Sequence, residues 1–385
     1  MQKIIPYGRQ SLTDADKKAV LDVLEEDFLT QGPHVEKFEQ SLSGFVGSTY
    51  AVAVTNGTAA LHLAAMALGV QKGDKVLVTT NTFVASANCI RYCGGEVEFV
   101  DIDPKNFCID LDLLEEKINK APAGTYKGLV VVDFAGWPVN MQKVRSLADR
   151  HQLWILEDSC HALGAAFLDD ENKWSKAGSC DYADIAIFSF HPVKHIATGE
   201  GGMITTKKQS IYNKLKLLRT HGITKDPALF QEKSHGPWYY EMQELGYNYR
   251  ISDILCALGH SQMQRIQENL ARRKQIAGFY FSELINLDIK LPFYDMSTQQ
   301  HAFHLFVIQT DKRNDLYEFL KKNNIYLQVH YMPVHTQPYY VERYGTYSLP
   351  CAEKYYSKAL SLPMYHGLQQ DDQARVIETL KKFYA

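Results

Sequence analysis

The 385-residue sequence has little of what marks a secreted, membrane or nucleic-acid-binding protein. Its seven cysteines are irregularly spaced and do not build a disulfide framework. Cys89 and Cys93 lie at i and i+4 and can share a helix face, but no second pair follows to complete a metal site. No apolar run approaches the ~20 residues of a membrane span. The opening stretch, Met1 to Arg9, lacks the apolar core of a signal peptide, so a reducing cytoplasm is the expected location. Neither charge sign dominates, since the formal net charge is −3. Basic runs such as residues 271–274 are short and read as solvated helix faces, so no nucleic-acid partner is expected. Internal repeats and low-complexity segments are absent, which removes solenoids and arrays.

What is present begins with Lys194. Residues 185–190 are apolar apart from Ser189, and a lysine and the glycine-rich 199–202 follow. The apolar run predicts a buried strand. Lys194 then lies just past the carboxyl end of that strand, where open α/β sheets place ligands. A lysine there can form a Schiff base with an aldehyde cofactor. An exposed lysine after a strand fits the same residues, because lysine is mostly a surface residue.

A second apolar run, from Leu153, ends in Glu157 and Asp158, 36 residues before the lysine. A carboxylate at a strand end can ligate a metal, pair with a cation or keep a pyridine nitrogen protonated. The last suits pyridoxal 5'-phosphate, whose ring is an electron sink only while that nitrogen carries a proton. Asp158 also fits a helix N-cap, with Ser159 as an alternative cap. The turn Asn56-Gly57-Thr58-Ala59 separates a strand from a helix. Such a helix start offers free N–H groups to a phosphate, with Gly57 permitting close approach and Thr58 adding a hydroxyl. A plain capping turn at Thr58 reads equally well.

The rest of the chain predicts an α/β architecture. Strands are expected at residues 50–55, 75–80, 97–101, 129–133 and 153–157. Helices are expected at 14–26, capped by Thr13 or Asp14, and at 58–68, 111–119 and 141–150. Strands alternating with helices indicate a mostly parallel sheet covered on both faces. Beyond about residue 250 the pattern changes. A long helical segment at 252–284, a strand at 304–310, a helix at 315–323 and a strand at 326–331 suggest a small α+β domain. The expected division is a large domain over 1–250 and a small one over 251–385.

The motifs EDSCHALGA and SFHPVKHIATGEGG resemble the DegT/DnrJ/EryC1/StrS family of pyridoxal-phosphate sugar aminotransferases. FLTQGPHVEKFE, VTNGTAALHLA, TTNTFVASAN, LRTHGIT, LGYNYRISDI and VHYMPVHTQPYY fit in the same order, over nearly the whole chain. The resemblance is closest to the aminotransferases of bacterial pseudaminic acid biosynthesis. It implies fold type I, the aspartate-aminotransferase-like fold, and a UDP-linked 4-keto-6-deoxy-N-acetylhexosamine aminated at C4 with glutamate as donor. It further implies Lys194 as the Schiff-base lysine, Asp158 at the ring nitrogen, and Gly57, Thr58, Ala59 and Ser189 at the phosphate. Phe83 would stack on the ring, with core packing as the alternative. His161 would donate to the cofactor's 3-oxygen, a place where many relatives carry glutamine. Asn248 would reach the neighbouring subunit's phosphate, giving a homodimer with shared sites; a turn asparagine fits its local sequence as well. Around the substrate the resemblance places Tyr7, Asp27, Phe28, Leu29, Thr30, His330, Tyr331, Val334, His335, Thr336 and Gln337. Asp27 departs from the basic residue expected there.

Related sugar dehydratases replace the Schiff-base lysine with histidine. Here His191 and His195 flank the site, yet the lysine is present, which favours transamination. A regulator without turnover would lack Lys194 or Asp158, or carry a fused DNA-binding segment, and neither is seen. A nicotinamide enzyme would need a better G-x-G-x-x-G than residues 199–202 provide.

Overall fold

The computed structural model describes residues 3–295 and 297–385. Its centre is a seven-stranded sheet, with strands β1 (Tyr50–Val54), β2 (Lys75–Thr79), β3 (Glu96–Val100), β4 (Tyr126–Val132), β5 (Trp154–Asp158), β6 (Ile185–Ser189) and β7 (Gly202–Thr206). The spatial order is β1-β7-β6-β5-β4-β2-β3. β7 runs antiparallel to both its neighbours, and the other strands run in one direction. Segments such as Val76-Leu77-Val78 and Leu129 to Val132 are buried, because helices cover both faces. Each fully buried Val, Leu or Ile there contributes roughly 1.5–3 kcal/mol. All the like-directed strands end on one edge, and Gly57, Phe83, Asp158 and Lys194 lie at or just past those ends.

The helices are set by their caps. α1 (Asp14–Leu24) starts with a capping box between Thr13 and Asp16, which decides the cap for Thr13 over Asp14. α2 (Pro33–Val46) opens with proline at its first position. α3 (Gly57–Ala67) is capped by the Asn56 side chain, which accepts the Ala59 N–H at 2.8 Å. The cap is therefore Asn56 rather than Thr58. α4 (Ala85–Tyr92), α5 (Leu111–Lys120), α6 (Met141–Arg150) and α7 (Gln209–Arg219) follow.

Beyond residue 250 two expectations change. The segment 252–284 is two helices, α8 (Asp253–Met263) and α9 (Ile266–Leu284), separated at Gln264 and Arg265. The strand expected at 326–331 does not form. The backbone there and just before it makes only single bridges, Ile325 to Ile5 and Gln328 to Ser361. The ladder partner of Phe306–Gln309 is instead Ala359–Leu362, a short run whose burial on both faces leaves no alternation to read. Ile5, from the chain's start, is fully buried with Ile276, Tyr280, Phe306 and Leu320. The first residues thus pack on the C-terminal part, while α1 and α2 pack on α8.

Candidate active site

A cavity of about 780 Å³ opens at the strand-end edge. It is lined from β1 by Asn56 to Ala59, from β2 by Thr82 and Phe83, from β5 by Asp158, Cys160 and His161, and from β6 by Ser189, His191, Val193 and Lys194. Tyr7, His304 and residues 328–331 close the other side.

The loop between β6 and β7 carries Lys194. The Lys194 N–H donates to the His191 carbonyl at 2.9 Å. Gln262 of α8 then clamps Ala197, accepting its N–H at 3.0 Å and donating to its carbonyl at 2.6 Å. His195 contacts the Ala302 carbonyl at 3.0 Å. These bonds fix the loop, so the lysine is aimed into the cavity by its backbone. Among the described residues Lys194 is the only lysine or arginine on the cavity wall. Desolvation lowers its pKa from the ordinary 10.5, while Cys160 and Asp158 partly oppose that shift. A lowered pKa enlarges the free-amine fraction, which is the form that attacks a carbonyl.

Asp158 is the last residue of β5 and is buried. One carboxylate oxygen accepts the Ser86 hydroxyl at 2.6 Å, and the other accepts the Cys160 N–H at 3.1 Å. Ser86 in turn lies 2.7 Å from the Thr82 hydroxyl. No helix starts at Asp158 or Ser159, so the capping alternative is not realised. Sequence reading missed Ser86, whose partner lies 72 positions away. It also missed the carboxyl pair behind the site. Asp133 accepts from Val139 N–H and Ser159 Oγ, both at 2.9 Å, and Glu157 accepts from Gly178 N–H at 3.2 Å. Burial, reinforced by Asp133, pushes Glu157 well above the usual carboxylate range, so this pair retains a proton.

At the opposite wall the start of α3 meets the end of β6. A Cβ on Gly57 would lie 3.0 Å from the Ser189 Cβ and 3.3 Å from its Oγ. A Cβ on Gly202 would lie 2.5 Å from the Asn56 carbonyl. Gly202 is needed for this close approach, and a side chain at Gly57 would force Ser189 to give by a few tenths of an ångström. The Ala59 amide is committed to the Asn56 cap, so Gly57 and Thr58 are left to supply backbone N–H donors. With the Thr58 and Ser189 hydroxyls they form a cradle with the donor chemistry and dipole sign that suit a phosphate.

The remaining expected residues divide clearly. Phe83 is 57% exposed, which rejects core packing, and its ring centroid is 6.2 Å from that of Tyr331. Tyr7 lies 5.4 Å from His330, ring to ring, on the same wall. His161 faces the cavity, and burial pushes its pKa well below the ordinary value. Asp27, Phe28, Leu29 and Thr30 are exposed and lie off this cavity, tied to α8 through Asp253 N–H to Leu29 O at 3.0 Å. Val334, His335, Thr336 and Gln337 do not line it either. The Val334 N–H donates to Thr80 O at 2.9 Å, and His335 joins Thr80 Oγ1 at 2.7 Å to Glu353 at 3.2 Å. Thr336 Oγ1 turns back to the Pro333 carbonyl at 2.7 Å. In this chain Val334 and His335 are buried anchors of the loop rather than cavity-wall residues. Asn248 is exposed and outside the cavity. Its neighbours face inward: Tyr247 stacks on Tyr249, and the Tyr249 carbonyl accepts from Thr55 N–H beside the phosphate cradle.

A lysine, a buried carboxylate and a phosphate cradle around one cavity fit pyridoxal 5'-phosphate. The sequence profile of the DegT/DnrJ/EryC1/StrS aminotransferase family matches residues 10–381. The chain belongs to this family. It is a pyridoxal-phosphate-dependent sugar aminotransferase of fold type I. It is 36% identical to the UDP-4-amino-4,6-dideoxy-N-acetyl-beta-L-altrosamine transaminase of Campylobacter jejuni, over 98% of this chain and 96% of that one. Among solved structures it is similar to Helicobacter pylori PseC, an aminotransferase involved in pseudoaminic acid biosynthesis. That match has a TM-score of 0.89 and 30% identity and covers 99% of each chain. The PLP form of Spr1654 from Streptococcus pneumoniae, a sugar aminotransferase by name, matches with a TM-score of 0.88 and 27% identity. It covers 99% of this chain and 98% of that one. Among the described residues, no helix is long and apolar enough to cross a membrane.

Proposed function

We propose that this aminotransferase moves an amino group from L-glutamate to C4 of a UDP-linked 4-keto-6-deoxy-N-acetylhexosamine. The product would be an amino sugar of the pseudaminic-acid type. The carrying observation is the end-to-end likeness to the altrosamine transaminase, with Lys194 and Asp158 facing one cavity.

The cofactor, held by the Gly57–Thr58–Ser189 cradle and by Lys194, supplies an aldehyde that accepts the amino group and a ring that delocalises the resulting charge. The work of the chain follows from its own groups. With the cofactor bound, Lys194 would hold its aldehyde carbon through the side-chain amine, and the donor's incoming amine would free that lysine. The freed Lys194 Nζ then takes a proton from the donor's α-carbon and returns it to the adjacent cofactor carbon. In the second half Lys194 would move a proton the other way, so that C4 of the sugar gains the amine while its keto oxygen leaves as water. Asp158 keeps the ring nitrogen protonated throughout. Tyr7, Gln328 and His330 offer aromatic and polar surface to the sugar nucleotide beyond the reacting carbon.

A panel of nucleotide-linked 3- and 4-keto sugars with glutamate, read by mass spectrometry and NMR, tests the substrate. The UDP-linked N-acetyl 4-keto sugar should be aminated at C4. The same sugar without its nucleotide should react poorly, because remote binding energy holds the keto carbon in place. Turnover of dTDP-linked sugars with none on the UDP-linked N-acetyl sugar would overturn the substrate and leave the chemistry standing.

A homodimer with shared sites is part of this reading. Asn248 supports it by being exposed on a segment whose Tyr249 carbonyl accepts from Thr55 N–H beside the cradle. Mixing Lys194→Ala subunits with Asn248→Ala subunits checks it. If Asn248 serves the partner's phosphate, one site of each hybrid is intact and activity returns. If Asn248 serves its own subunit, no hybrid site is intact and mixing restores nothing.

A further inference from the structure

His161 has one hydrogen to give, and the structure commits it. The Ala135 N–H points at His161 Nδ1 at 3.3 Å, so Nδ1 is an acceptor and carries no proton. His161 Nε2 lies 3.1 Å from the Tyr331 hydroxyl. The ring is buried and faces the positive charge of Lys194 as well as His330 and His195, which holds it neutral. A neutral ring that accepts at Nδ1 has its hydrogen on Nε2. The bond therefore runs from His161 Nε2–H to the Tyr331 oxygen.

This direction frees the phenol's own hydrogen. Among the described residues the Tyr331 hydroxyl has no other hydrogen-bond partner, and Tyr331 lies on the cavity wall. The titratable groups around it are Asp158 at the end of β5, Cys160 and His161 just past it, Tyr7 from the first segment, the adjacent His330, and Tyr355. Burial and the charge of Asp158 raise the phenol's pKa, so the hydroxyl remains a donor across the working pH range. The Phe134 and Phe83 ring centroids each lie 6.2 Å from that of Tyr331.

We infer that Tyr331, oriented by His161, presents the O–H that hydrogen-bonds the cofactor's 3-oxygen, with His161 as the positioning residue behind it. This rests on the pyridoxal-phosphate reading of the site. It replaces the direct His161 donor expected from the family resemblance. A donor at that oxygen stabilises its anion and weakens the oxygen's hold on the neighbouring imine proton. The imine then loses its proton at lower pH than it would without the donor.

The measurement is the pH midpoint of the absorbance change of the lysine-linked chromophore in holoenzyme, with cofactor dissociation constants alongside. Tyr331→Phe removes only the hydroxyl and should raise the midpoint by about one unit, the scale of one hydrogen bond to a charged group. His161→Leu should raise it similarly, and the double variant no further, because both changes break one chain. His161→Gln, which can still donate to the phenol, should keep the wild-type midpoint. A shift with His161→Leu but none with Tyr331→Phe would show direct donation by His161 and overturn the inference. Additive shifts, or no shift in either variant, would also overturn it. If wild type itself gave no borohydride-trapped chromophore, the underlying cofactor reading would fail instead.

Discussion

Lys194→Ala should cut turnover by a factor on the order of 10³ or more, because one residue supplies both the covalent anchor and the proton-transferring amine. Wild-type protein should be yellow, and borohydride should bleach the yellow while fixing the cofactor as a stable amine on the peptide that contains Lys194. The Lys194→Ala protein should fold, since its loop is held by backbone bonds and by Gln262 rather than by the lysine side chain. Reconstitution of cofactor-free protein should accelerate as pH rises and level off below 10.5, because desolvation lowers the lysine's pKa and the neutral amine is the reactive form. Since no other lysine or arginine lines the cavity among the described residues, a label on another peptide would contradict the assignment. So would near-normal turnover in the variant.

How far the sequence reaches depends on where each residue's partners lie. Asp158 and Lys194 were legible because each ends or follows an apolar strand, and strand ends share one edge of a parallel sheet. Phe83 and Ser189 follow strands too, and both face the cavity. The sheet itself was legible from runs such as Val76 to Val78 and Leu129 to Val132. Ser86 was not, because its value comes from a contact across 72 positions, and a serine in a helix carries no local sign of that. His335 shows the converse. A histidine in a polar loop suggests a ligand contact, yet Thr80 and Glu353 satisfy it inside the fold. The segment 326–331 reads as a strand, but its edges find only single bridging partners, and pairing rather than propensity decides a strand. Asp27 to Thr30 and Asn248 lie on the surface of the single chain, so any role at a shared site belongs to an assembly that one sequence does not describe.

Asp158→Asn tests the electron sink without disturbing the fold. The carboxylate accepts from Ser86 and from the Cys160 N–H. An asparagine in the same place keeps its carbonyl toward the Cys160 N–H and turns its NH₂ toward Ser86. The serine hydroxyl can rotate to accept that hydrogen and donate to Thr82, whose oxygen lies 2.7 Å away. No buried polar group is then left without a partner, so the melting temperature should stay close to wild type. The phosphate cradle and Lys194 are untouched, so much of the cofactor should remain bound. Turnover should nonetheless fall by ~100-fold or more, the scale of losing a preorganised electrostatic contact at the reacting group. The neutral amide has no charge with which to hold a proton on the ring nitrogen. Ser86→Ala supplies the contrast, since it removes one hydrogen bond from Asp158 and leaves the charge. Its loss should be roughly tenfold, in line with one hydrogen bond to a charged group. If Asp158→Asn turned over at nearly the wild-type rate, or if Ser86→Ala cost as much as Asp158→Asn, the charge would not be the operative feature. Asp158 would then be a packing residue that happens to face the cavity.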